Sequence, residues 1–112
     1  LNEFLNKQVE KAGNDIETDS PIIFFSYSGS TSMSSEISNK LYHKHKDKLI
    51  IVAFIRPEKV NVSIRGEKAL ETTKKLIANI EDATGGGHVE ATGAMIPFDE
   101  FETFKENIKQ IL

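Results

Sequence analysis

Cysteine and tryptophan are both absent from this 112-residue sequence. Without thiols there is no disulfide scaffold, no thiolate nucleophile and no Cys-based zinc site, and three histidines remain as the only imidazole ligands. Long apolar runs are missing as well. None approaches the roughly 20 residues needed to cross a bilayer, and no basic-then-apolar leader opens the chain, so no membrane partner is expected and the cytoplasm is the expected location. A net charge of −3 argues against a surface that coats polyanions generally, but it leaves room for a local basic pocket around one phosphorylated ligand. What is present is ordinary for a globular domain: 38% hydrophobic and 28% charged residues, in a length that suits one domain and not two. The start at Leu1, in place of a methionine, suggests a piece of a longer polypeptide.

Hydrophobic spacing then divides the chain into elements. Phe4, Leu5 and Val9 fall on one helical face before Ala12-Gly13-Asn14, so residues 1–15 read as a connecting helix. Pro21–Tyr27 is β-branched and aromatic and reads as a buried strand, while Leu49–Ile55 is almost continuously apolar, as a central strand would be. Between them lies a helix with Met33, Ile37 and Leu41 on one face; its Ser-rich start suits a capping hydroxyl among Ser30 to Ser32, the commoner explanation, or an anion held on the free N–H groups. Val60, Val62 and Ile64 alternate with Asn61, Ser63 and Arg65, which predicts a strand with one core face and one polar face. A further helix is expected from Glu67 to Ile80, a glycine hinge at Thr84–His88, a strand within Val89–Ile96, and a last helix from Pro97 with Asp99 and Glu102 as a capping box. The fold class is therefore α/β, a compact two-layer or three-layer sandwich on a mixed sheet of about four or five strands flanked by helices.

Two features stand apart from this regular pattern. In Gly85-Gly86-Gly87-His88 the glycines serve either a loop that must turn or a concavity of bare N–H groups that holds an anion, with His88 as a neighbouring donor. Ala91 and Gly93 are small enough to keep the next strand clear of a ligand. Arg65 is either a surface charge or a phosphate ligand, and Ser63 shares its strand face. If the glycine segment packs over the end of that strand, the two features make one pocket suited to a phosphate or phosphodiester. His43 and His45, two residues apart, face different sides of their helix and read as solvated surface and not as a metal pair.

The spacing Gly85-Gly86-Gly87-His88-x-x-Ala91-x-Gly93, with Val60-Asn61-Val62-Ser63-Ile64-Arg65 upstream, resembles the DHH-associated domain of DHH-family phosphoesterases, the RecJ-like and nanoRNase-like enzymes, over residues 16–112. The resemblance implies a substrate-recognition domain in which Ser63, Arg65, Gly85, Gly86, Gly87, His88, Ala91 and Gly93 bind substrate. It also implies an N-terminal DHH catalytic domain in the same polypeptide, manganese held by that domain, and oligonucleotide or nucleotide phosphate as substrate, with short oligonucleotides or cyclic dinucleotides as the expected class. Val89, Thr92 and Gly66 depart from the residues common at those positions, which bears on the exact substrate. No Asp-His-His triplet occurs, so this chain is expected to carry no catalytic residue, no metal and no cofactor of its own. The alternative is a non-catalytic nucleic-acid-binding or dimerisation module of the same fold, and a homodimer is compatible with either reading.

Overall fold

The structure is a computed structural model that describes residues 20–111; the helix expected over residues 1–15 lies outside them. Its elements in chain order are β1 (Ile22–Tyr27), α1 (Ser34–Lys44), β2 (Leu49–Ile55), β3 (Lys59–Arg65), α2 (Ala69–Ile77), β4 (Thr84–Gly87), β5 (Ala91–Pro97), a 3-10 turn (Phe98–Glu100) and α3 (Phe101–Ile111). The strands form one sheet in the order β1-β2-β3-β5-β4. β1 runs parallel to β2, as a strand pair joined by a crossover helix must, and every other pairing is antiparallel.

Period-two alternation sends the side chains of β1 and β2 to two separate cores. Ile23, Phe25, Tyr27, Ile50, Val52 and Phe54 pack under α1 through Met33, Ile37 and Leu41. On the opposite face Ile51, Ala53, Val60, Val62, Ile64 and Ile96 meet α2 through Ala69 and Leu76, and α3 through Phe101, Phe104 and Ile108. The molecule is thus a three-layer sandwich with one described helix on one face and two on the other. Ile37, Leu41 and Leu76 are fully buried, and each contributes about 1.5–3 kcal/mol by leaving water.

Several elements differ from the sequence-based expectation. The glycine segment is not a hinge: Thr84–Gly87 is a fifth strand, at the edge of the sheet, paired with β5. A strand without side chains has no alternation for a periodicity argument to detect. The strand after it starts at Ala91 because His88 and Ala91 close a hairpin, the His88 N–H donating to the Ala91 carbonyl at 2.9 Å. β1 lies at the other edge, with Ser26 exposed and only its alternate residues buried. α2 is shorter than expected, since Lys68 adopts a left-handed conformation (φ 69°) that ends the helix on its N-terminal side. No serine caps α1. Met33 occupies the cap position without a side-chain bond, and its N–H donates instead to the Tyr27 hydroxyl at 2.7 Å. The expected capping box is likewise replaced: Pro97 leads into a 3-10 turn, again without a side-chain cap.

Candidate functional site

β3 places Asn61, Ser63 and Arg65 on the face of the sheet that α1 covers, because Ser63 lies opposite Val52 of the α1 core. Across the sheet, Ser63 is registered with Gly93 and Gly93 with Gly86, while Arg65 is registered with Ala91. Among the described residues, α1 is the one helix on this face, and it packs on β2 and β3. The β4–β5 half stays open there. The result is a cleft of about 520 Å³ between the start of α1 and the β4–β5 hairpin.

One wall comes from Ser32, Ser34, Ser35 and Glu36, and the other from Gly87, His88 and Ala91. The floor is bare backbone. Among the described residues, nothing lies within 4 Å of the position a Cβ on Gly86 would take, and one on Gly93 would meet only the Val62 carbonyl, at 3.7 Å. Gly87 has a different reason to be glycine, since its φ of 142° belongs to a region that side chains avoid and a Cβ would sit 2.7 Å from the Ala91 carbonyl. Beyond it, His88 is exposed at the rim, and the hairpin tip is tied down: the Gly66 N–H donates to the Glu90 carbonyl at 3.0 Å and the Leu70 N–H to that of Val89 at 3.1 Å.

Arg65 is half-buried, and desolvation lowers its pKa from the ordinary value. A guanidinium nevertheless remains protonated, so a cation stands in the cleft wall. Among the described residues no carboxylate pairs with it; the ion pairs Glu71–Lys75, Glu102–Lys105 and Glu106–Lys109 lie on α2 and α3. Ser63 is buried and meets Ser38 at 2.9 Å. Ser38 already donates to the Ser35 carbonyl, so the Ser63 proton points to Ser38 and the Ser63 oxygen keeps only acceptor capacity. Asn61 also lines the cleft, with its Oδ1 buried and without a hydrogen-bond partner among the described residues.

Seven of the eight residues expected to bind substrate line this one cleft: Ser63, Arg65, Gly86, Gly87, His88, Ala91 and Gly93. Gly85 does not. Its Cβ position faces the other side of the sheet, 3.0 Å from Thr73 Cγ2 of α2, so its role is packing. The serine-rich helix start, open to reading as an anion site but more simply as capping, brings Ser32, Ser34 and Ser35 to the cleft, and Asn61, on the polar face of its strand, joins them although the sequence does not single it out as a ligand residue. The described residues contain no group of three or more His, Cys, Asp or Glu side chains able to hold a metal ion. They also contain no helix long and apolar enough to cross a membrane.

The cleft thus joins an open mixed sheet, a glycine edge strand and a half-buried arginine. A family model described as the DHHA1 domain matches residues 17–112, and the chain belongs to that family. Among solved structures, it superposes on RecJ in complex with Mn²⁺ from Thermus thermophilus with a TM-score of 0.76 at 14% identity, covering 98% of this chain and 16% of that one. An exonuclease RecJ bound to manganese gives 0.69 at 15% identity, covering 98% and 27%. The C-Ala domain of alanyl-tRNA synthetase from Aquifex aeolicus gives 0.67 at 14% identity, covering 80% and 86%. At these identities the likeness is one of fold. This chain spans only a small part of the RecJ chains, and no curated protein matches its sequence.

Proposed function

We propose that this chain is the substrate-binding domain of a cytoplasmic DHH-type phosphoesterase, and that its cleft holds a phosphate of a short oligonucleotide or cyclic dinucleotide. The observation that carries the reading is Arg65, a half-buried cation without a carboxylate partner among the described residues, in a cleft whose floor is bare glycine. Keeping a charge partly out of water is costly unless something anionic arrives to pair with it. Ser32, Ser35 and the His88 imidazole line the same cleft as further polar groups. Hydrolysis would fall to manganese on a DHH catalytic domain of the same polypeptide, with the cleft presenting the substrate to it. A nucleic-acid-binding module that reads bases on exposed aromatics has less support, because Phe101 and Phe104 are buried in the core and Phe98 alone among the described phenylalanines is largely exposed.

The test is titration of the chain with a 5′-phosphorylated diribonucleotide and with the same two nucleosides free of any phosphate. The phosphorylated ligand is expected to bind at least about tenfold more tightly, a preference that Arg65→Met removes, as loss of a charge-assisted hydrogen bond predicts. Equal affinity with and without phosphate, or a preference that survives in Arg65→Met, sinks the reading.

A further inference from the structure

The Arg65 side chain carries its N–H hydrogens in a fixed plane, and three of its donor contacts are made within the protein. Nε donates to Asn39 Oδ1 at 2.8 Å. Nη1 donates to the Ile64 carbonyl at 3.0 Å and to the Thr92 carbonyl at 3.1 Å. Nη2 has no hydrogen bond among the described residues. The three acceptors are an amide and two peptide oxygens, all neutral, and they come from α1, β3 and β5. The guanidinium is therefore clamped on two sides by dipoles and left open on the third, with its charge undiminished. Glu36, which also lines the cleft, lies too far away to form an ion pair with it.

We propose that Asn39 is a positioning residue: it fixes the plane of the Arg65 guanidinium so that the Nη2 end faces the ligand, and it does so with a neutral oxygen so that the charge stays available to an anion. The inference deepens the phosphate-binding reading and rests on it. Two consequences separate it from a mere helix-to-strand contact. The guanidinium meets its ligand through Nη2 alone and not through the side-on Nε–Nη2 fork, because Nε is already engaged. A carboxylate at position 39 would hold the same geometry yet neutralise the charge.

Asn39 is exposed on α1, so substitutions there leave the core intact. The experiment compares the chain with its Asn39→Ala and Asn39→Asp variants by two readouts: solvent exchange of the Arg65 Nε–H proton by NMR, and affinity for the 5′-phosphorylated diribonucleotide. Asn39→Ala is expected to speed the exchange and weaken binding roughly three- to tenfold, the equivalent of one hydrogen bond's net contribution. Asn39→Asp is expected to keep the exchange slow and still weaken binding at least as much. An Nε–H that exchanges no faster in Asn39→Ala, or an Asn39→Asp chain that binds as tightly as the unaltered one, overturns the proposal. If the unaltered chain binds no phosphorylated ligand while Asn39→Ala still speeds the exchange, the orienting contact stands and it is the phosphate-binding reading that falls.

Discussion

Gly86 and Gly87 are neighbours in one strand, yet they are glycines for different reasons. Gly87 needs its backbone freedom, whereas Gly86 has an unstrained backbone and open space above it. Gly87→Ala is therefore expected to cost about 1–3 kcal/mol of stability, through strain and the collision with the Ala91 carbonyl. Gly86→Ala is expected to leave the unfolding midpoint unchanged or slightly raised, because alanine restricts the unfolded chain more than glycine does. It should nonetheless weaken binding of the phosphorylated diribonucleotide, since its methyl group occupies the cleft floor. Thermal unfolding and ligand titration on both variants check the contrast, and equal effects would contradict it. The sequence marks the glycine run as unusual but shows its members as equivalent. Which neighbour each one faces depends on the register of the hairpin with β5 and on the position of α2, and neither shows in a run of identical residues.

At the level of elements, each face of the sheet is pinned to a helix by a pair of buried hydroxyls. Thr73 of α2 donates to the Ala69 carbonyl at 2.7 Å, so Thr92 of β5 must be the donor in the 2.6 Å contact between the two threonines. Ser63 and Ser38 repeat the arrangement under α1. Thr73→Val keeps the shape but strands the Thr92 hydroxyl in a buried site, at an expected cost of about 1–3 kcal/mol. Adding Thr92→Val should return part of that loss, because the unpaired donor goes with it. A denaturant-unfolding double-mutant cycle measures this, and simple additivity of the two losses would refute it. The helix stripe through Thr73 is readable from spacing, but its partner stands 19 residues away on a strand that spacing alone cannot bring alongside. The same limit explains β4. Apolar and β-branched composition marked β1 and β2, and alternation marked β3, because these strands carry side chains; both signals are silent for a strand of one threonine and three glycines.

For the molecule as a whole, the cleft follows from layer count: α1 packs on β2 and β3, and the β4–β5 half of its face has no described helix over it. The α/β class, the β2–β3 hairpin and the mixed sheet are legible in the order of hydrophobic patterns. The insertion of β5 between β3 and β4 is not, since it rests on the β3–β5 pairing, which joins strands distant in sequence. With no metal-holding cluster among the described residues, the chain incubated with manganese and a diribonucleotide is expected to release no mononucleotide. Product formation that a chelator abolishes would assign catalysis to this chain and overturn its reading as a binding domain.

The carbonyls of Val89 and Glu90 engage the N–H groups of Leu70 and Gly66, joining the tip of the β4–β5 hairpin to the start of α2. An edge strand of glycines would otherwise be a place where a sheet frays first. These two hydrogen bonds tie the glycine wall of the cleft to the first turn of α2. The cleft wall is thereby braced from a helix on the opposite side of the sheet, one that a molecule in the cleft would not touch.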